Sequence, residues 1–218
     1  MILHVYEAAY KSNSGEVYVA TPNKEIAEKV KSSGGKAIIT SADHQTGTDR
    51  IFEVFKKTLK EEPKIIINLQ GDMPNIEPKA ITDLVSYMNK EQCDIGTLAS
   101  TFNSKKEKEN PNVVKVALKE KISPNVFSNA IDFFRINTNS ADNIYHHIGI
   151  YAFTNKALIR YVGLKRSKLE LERKLEQLRA LENNMSIHVG YTKSSPLSVD
   201  TEKDLIEVQK LMKKNEKS

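Results

Sequence analysis

The stretch Lys64-Ile65-Ile66-Ile67-Asn68-Leu69-Gln70-Gly71-Asp72-Met73-Pro74 constrains this chain more than any other. An apolar run bounded by Gly and Pro reads as a buried strand whose end delivers one carboxylate, Asp72, into a turn. In open parallel sheets, ligands bind beyond the carboxyl ends of the strands, so Asp72 stands where chemistry is usually done. A second carboxylate lies far downstream, in Ser198-Val199-Asp200-Thr201. Two aspartates at strand ends suit a hard cation such as Mg²⁺ held against a phosphate. Asp200 also has a plainer reading, as a polar residue ahead of the last helix.

The rest of the chain alternates short apolar runs with amphipathic stretches. Ile2, Val5, Tyr6 and Ala9 fall on one face at helical spacing, so the chain opens in a helix. Strands are expected at 17–20, 37–40, 94–99, 113–118, 147–153 and 187–191. Helices are expected from Asn23 through Val30, and at 48–60, 78–89, 169–183 and 201–212. Asn23 caps the first of these, and Gly34-Gly35 ends it. Thr201 with Asp204 three residues on forms a capping pair for the last helix. Leu171, Leu175, Leu178 and Leu181 read as one buried stripe of the 169–183 helix. The interval 123–143 is polar and irregular, and suits a lid or part of a small lobe. This alternation argues for a doubly wound, mostly parallel α/β sheet. Such folds usually open with a strand whose following loop holds phosphates, whereas this chain opens inside a helix.

At 218 residues the chain suits one α/β domain with a buried core. Its formal charge of +5 favours an anionic small substrate, because a basic balance attracts phosphates and carboxylates over long range. Lysine-rich runs such as Lys105-Lys106-Glu107-Lys108 are interrupted by acid and read as solvated faces. No aromatic–basic interleaving supports nucleic-acid binding. A single cysteine, Cys93, excludes an internal disulfide and leaves a zinc site without thiolate partners. No run has the length of a membrane span and the start lacks signal-peptide order, so the cytoplasm is the default expectation.

Other candidates carry two readings each. Asp43-His44-Gln45-Thr46-Gly47-Thr48-Asp49-Arg50 offers helix-start N–H donors and a cation, and equally describes an ordinary capped helix. The pair His146-His147 would point to opposite faces of a strand. Spacing alone makes His147 a hydrogen-bonded sheet histidine. Glu176-Gln177 inside a helix would be a solvated face. No Gly-rich phosphate loop and no nucleophile elbow is present.

Taken in order, these segments together with Asn110-Pro111-Asn112-Val113-Val114-Lys115-Val116, His147-Ile148-Gly149-Ile150-Tyr151, Leu175-Glu176-Gln177-Leu178-Arg179 and Val199-Asp200-Thr201 resemble the 3-deoxy-manno-octulosonate (Kdo) cytidylyltransferases, from about Met1 to Met212. The resemblance implies a nucleotide-diphospho-sugar transferase-like α/β fold with a smaller dimerisation lobe, at about 119–160, and a homodimer. It implies transfer of CMP from CTP to Kdo with Mg²⁺, releasing pyrophosphate, for lipopolysaccharide assembly. By matching motif, Asp72 and Asp200 would hold the metal, and Arg50 and Gln70 would line the nucleotide pocket. His147, Tyr151, Glu176 and Gln177 would contact the sugar.

The chain departs from that pattern in places. It opens just after the family's first strand and its Arg- and Lys-bearing triphosphate loop. Losing that strand would leave a neighbouring one with an unpaired edge. Asn129 stands where the family has Arg, Arg173 where it tends to have an acid, and Met73 where Glu is common. These departures keep three other readings open: an enzyme whose chain is incomplete or impaired, a sugar- or nucleotide-binding paralogue without turnover, and a cytidylyltransferase for another acidic sugar.

Overall fold

The computed structural model describes residues 1–58, 63–136, 142–193, 195–199 and 201–215. Helix α1 (Ile2–Lys11) opens the chain. Strands β1 (Val19–Thr21) and β2 (Ala37–Ile39) pair in parallel around α2 (Lys24–Ser32). Asn23 caps α2 as expected, its Oδ1 accepting the N–H of Ile26 at 3.2 Å. Helix α3 (Gly47–Thr58), strand β3 (Ile65–Leu69), helix α4 (Pro78–Lys90) and strand β4 (Ile95–Ser100) follow in order. Then come α5 (Lys105–Glu109), β5 (Lys115–Leu118), β6 (Ser128–Phe134) and β7 (Ile144–Thr154). The chain closes with α6 (Asn155–Gly163), α7 (Lys168–Arg173), α8 (Leu178–Glu182), β8 (Ile187–Tyr191) and α9 (Glu202–Asn215). Thr201 and Asp204 form the expected cap: the Asp204 carboxylate accepts the N–H of Thr201 at 2.9 Å, and the Thr201 hydroxyl accepts the N–H of Asp204.

The larger sheet has the order β3-β7-β4-β8-β6-β5, and β5 also pairs with the start of β7. Strands β3, β4, β5 and β8 run one way, and β6 and β7 run against them. Strand direction is thus mostly shared. The contacts between neighbours are mostly antiparallel, because β7 threads between β3 and β4 and β6 between β8 and β5. Both faces are covered, as a doubly wound sheet requires. Ile150 and Ala152 of β7 pack with Ile81, Leu84 and Met88 of α4, while Tyr151 and Phe153 pack with Leu158 and Tyr161 of α6. The period of two along β7 assigns alternate residues to opposite cores.

Strand β3 corrects one expectation. Ile65, Ile66 and Ile67 are only half-buried, whereas every residue of β4 is buried. Among the described residues β3 pairs with β7 on one side, and β1 with β2 on one side. Both strands line a cavity of about 1010 Å³ that α1 and α3 also wall. The faces of β3 pack on the two cores, and its free edge meets open space where a central strand would meet a neighbour.

Three elements fall where none was expected. Strand β6 lies inside the interval read as irregular, and its alternation is masked by Asn129 and Asp132. Its pairing with β5 and β8 creates it. The charged stretch at α5 forms one short helix, capped by Ser104, whose hydroxyl accepts the N–H of Glu107 at 3.1 Å. The segment 155–163, unassigned from sequence, forms α6. The Thr154 hydroxyl accepts the N–H of Ala157 at 3.1 Å and so starts it.

The expected 169–183 helix is also corrected. It breaks into α7 and α8 at Lys174, which takes a left-handed conformation with φ 54°. Leu171 is 52% exposed and does not belong to a buried stripe. The reason is electrostatic. Glu170 and Arg179 are 0% and 2% exposed and form a bidentate pair, Nε to Oε2 at 2.9 Å and Nη2 to Oε1 at 2.6 Å. Nine residues turn a continuous helix by about 900°, which would place the two side chains on opposite sides. Breaking the helix lets them meet.

Removing one member of a buried pair strands the other. Arg179→Met should therefore cost about 3 kcal/mol or more in denaturant unfolding. Converting both residues, with Glu170→Leu added, should recover part of that loss. A single-variant loss near zero would show that the pair does not hold α7 to α8.

Candidate active site

Three predicted sugar contacts meet. Asn68, Tyr151 and Thr97 stand side by side on β3, β7 and β4. The buried Asn68 donates its Nδ2–H to the Thr48 hydroxyl at 3.2 Å. The backbone N–H of Thr48, in the first turn of α3, faces the Glu176 carboxylate at 3.4 Å. The Tyr161 hydroxyl donates to the Glu176 carbonyl at 2.8 Å. Thr48, Tyr151, Tyr161, Glu176 and Gln177 line one small cavity. Glu176 and Gln177 thus lie on the turn between α7 and α8, facing inward, and not on a solvated helix face.

Burial governs the titration of these groups. It raises the carboxyl of Glu176, against the pull of the Thr48 N–H, the Thr48 and Thr46 hydroxyls and Arg179. Burial and the nearby Glu176 push the Tyr151 phenol well up. Burial, with His146 as a second cause, lowers His147 to about 3, so its imidazole is neutral at physiological pH. His147 is 6% exposed, with its ring edge-on to Phe133 and 5.5 Å from the Tyr151 ring. It has the hydrogen-bonded sheet environment that spacing alone suggests, and it is also the ring neighbour of Tyr151.

His146 points the other way, as a strand requires. Its Nδ1 meets Glu107 Oε1 at 2.7 Å and the Ser195 hydroxyl at 2.9 Å. That contact ties α5 to the segment after β8.

Arg50 and Gln70 both line the 1010 Å³ cavity, with Gly47 and Gly71. Arg50 donates Nη1–H bonds to the Thr40 hydroxyl at 2.7 Å and the Ser41 carbonyl at 2.8 Å, which fixes the guanidinium beside the end of β2. Gly47 and Thr48 are adjacent, so the start of α3 divides the predicted nucleotide side from the predicted sugar side.

Asp72 sits in the turn beyond β3. Its Oδ2 accepts the Ser198 hydroxyl at 2.7 Å, and its backbone carbonyl accepts the N–H of Val199 at 3.0 Å. Asn75 Oδ1 takes the N–H of Leu197 at 3.1 Å. The residues just ahead of Asp200 in sequence are therefore tied to the Asp72 turn. Asp200 itself lies outside the described residues. The other carboxylate oxygen, Asp72 Oδ1, is buried with no hydrogen-bond partner among the described residues. A buried carboxylate oxygen left open suits a hard cation. No cluster of three or more His, Cys, Asp or Glu with metal-binding geometry occurs among the described residues.

The departing residues have structural partners. Arg173 holds Asp132 of β6 through Nη1, at 2.7 and 2.9 Å, and also donates to the Phe133 carbonyl. Asn129 is exposed, and its carbonyl accepts the N–H of Lys119. Met73 is 4% exposed and packs with α4. The sequence gives no role to Thr97 or Tyr161, presents Arg179 only as the end of the Leu175–Arg179 motif, and offers Thr48 as a helix-start N–H donor, which is the group that faces Glu176. Asn68, a polar residue inside an apolar strand, is a further signal.

The sequence profile of the cytidylyltransferase family matches residues 1–187. The 3-deoxy-manno-octulosonate cytidylyltransferase of Bartonella tribocorum is 42% identical over 97% of this chain and 87% of its own length. That of Rhodopseudomonas palustris is 45% identical over 94% and 84%. Among solved structures, a CMP:2-keto-3-deoxy-manno-octonic acid synthetase complexed with CTP aligns with TM-score 0.85 and 34% identity, over 98% of this chain and 88% of that one. A 4-diphosphocytidyl-2C-methyl-D-erythritol synthase from Anaerococcus prevotii shares the fold, with TM-score 0.61 and 15% identity over 96% and 89%. On profile, identity and fold together, the chain belongs to the cytidylyltransferase family, among the 3-deoxy-manno-octulosonate cytidylyltransferases.

Proposed function

We propose that this protein transfers CMP from CTP to 3-deoxy-manno-octulosonate and releases pyrophosphate. The observation that carries the reading is the Asp72 turn, bonded to Ser198 and Val199 and holding a buried carboxylate oxygen that has no partner among the described residues. Asp72 and Asp200 would hold Mg²⁺, which when bound neutralises charge on the triphosphate and lowers the barrier to attack at the α-phosphorus. Transfer of this kind depends mainly on positioning and electrostatics, and needs no covalent protein group.

The remaining residues position the substrates. Arg50 and Gln70 border the nucleotide, with the Arg50 guanidinium already oriented by Thr40 and Ser41. Glu176 and Gln177 accept and donate hydrogen bonds to sugar hydroxyls. Tyr151 and His147 border the same sugar from β7. The sugar's anomeric hydroxyl is the nucleophile, its proton leaves to solvent or a neighbouring acceptor, and pyrophosphate departs opposite to it.

Homodimerisation through a lobe at about 119–160, location in the cytoplasm and a role in lipopolysaccharide assembly belong to the same reading. Exposed Ile131 and Ile136, at 60% and 67%, support an apolar contact face there. Among the described residues no helix is long and apolar enough to cross a membrane.

Asp72→Asn and Asp200→Asn should each cut turnover by about a hundredfold or more, with CTP, Kdo and Mg²⁺ supplied and pyrophosphate as the readout. Near-normal rates in both variants would remove the metal assignment. Chelation of divalent ions should abolish turnover and re-addition of Mg²⁺ should restore it. Glu176 provides a pH test. Its carboxyl is raised, so the ionised acceptor is present above that raised value and is lost as pH falls through it. The KM for Kdo should climb on acidification, and Glu176→Gln should flatten that climb. An unchanged slope in the variant would free Glu176 of this role.

A further inference from the structure

Thr97 is 0% exposed and lies opposite Tyr151 where β4 and β7 slip register. The slip falls between Thr97 and Leu98, whose partners are Tyr151 and Ile148, so Gly149 and Ile150 form a bulge in β7. Bulges of this kind re-aim side chains beside functional sites. The Thr97 hydroxyl sits inside the bulge. It lies 2.6 Å from the Ile150 carbonyl, 3.3 Å from the Ile148 carbonyl and 3.0 Å from His147 Nε2.

A hydroxyl has one proton to give. Carbonyl oxygens only accept, and an oxygen–oxygen separation of 2.6 Å requires a proton between the two atoms. The Thr97 proton is therefore spent on Ile150. Its oxygen can only accept from His147, so Nε2 carries the imidazole proton. Which ring nitrogen is protonated follows from the bond the other partner imposes. A neutral ring protonated at Nε2 has its lone pair on Nδ1, and among the described residues nothing bonds that atom.

We propose that Thr97 is a positioning residue that locks His147 in its Nε2–H form, so that Nδ1 accepts a hydrogen bond from a hydroxyl of the sugar. The sugar half of this inference rests on the role given to His147 above, while the tautomer half stands on the geometry of Thr97 alone. One consequence concerns discrimination. A site that offers only an acceptor at this point favours a substrate with a hydroxyl there and rejects one lacking it.

Long-range ¹H–¹⁵N correlation spectra of the full chain read the tautomer directly, with the His147 signals assigned by comparison with His147→Gln. The wild-type ring should show a protonated Nε2 and a bare Nδ1. Thr97→Ser should keep that pattern, and Thr97→Val, nearly equal in shape, should lose it. In the pyrophosphate assay Thr97→Val should raise the KM for Kdo about tenfold with the KM for CTP unchanged, while Thr97→Ser stays close to the wild type. A wild-type ring protonated at Nδ1 would overturn the proposal, as would a Thr97→Val protein with unaltered tautomer and kinetics. An altered tautomer with an unaltered KM for Kdo would sink the sugar half alone. Should the wild type release no pyrophosphate from CTP and Kdo, the proposed activity fails, and the wild-type and Thr97→Ser spectra still decide the role of Thr97.

Discussion

Strand β7 is the spine of the molecule. Its eleven residues pair with β5 at the start and with β3 and β4 further along. Because it runs against β3 and β4, it joins two strands that point the same way and brings their carboxyl ends together. It also divides the two cores, giving Ile150 and Ala152 to one and Tyr151 and Phe153 to the other. Every group near the small cavity is placed relative to β7. Tyr151 lies on it, Asn68 and Thr97 flank it, and Thr48 and Glu176 reach the site through Asn68.

A second constraint comes from charge inside the fold. Glu170 meets Arg179, and Arg166 and the N–H of Ser167 complete the carboxylate's bonding. Arg179 also lies over the Tyr161 ring at 4.6 Å, and Tyr161 holds the Glu176 carbonyl. The buried pair, the aromatic ring and the turn between α7 and α8 form one connected unit. Taking these charges out of water is unfavourable, and good geometry with extra hydrogen bonds compensates. The consequence is local: Glu176 and Gln177 leave a helix face and turn into the protein.

The Asp72 turn follows a different logic. Here a buried carboxylate oxygen has no partner among the described residues, and the segment ahead of Asp200 is fastened to the same turn by backbone and side-chain bonds. Native folds seldom leave such an atom unsatisfied without a functional reason. The contrast with Glu170 is informative. One carboxylate is fully paired and joins elements, while the other keeps an acceptor with no partner among the described residues.

Much of this was legible along the chain. The Asn23 cap, the Thr201–Asp204 cap, the β3 run and the opposed His146 and His147 all follow from local chemistry: hydroxyl and amide caps, unbroken apolarity and the two-residue period of a strand. The ordered motifs through Asp72, His147 and Glu176 pointed to the family. Other features required the third dimension. Strand β6 exists because β5 and β8 pair with it, despite a polar sequence. The break at Lys174 exists because two charges nine residues apart must touch, which a helical period forbids. Ile65 to Ile67 read as buried, yet one edge of β3 faces a cavity, and exposure depends on neighbours that no local pattern encodes. Thr97 carries no signal in sequence at all. Periodicity and capping are short-range and stay written in neighbouring residues, whereas burial, ion pairing and the protonation of a single ring nitrogen depend on groups brought together from distant parts of the chain.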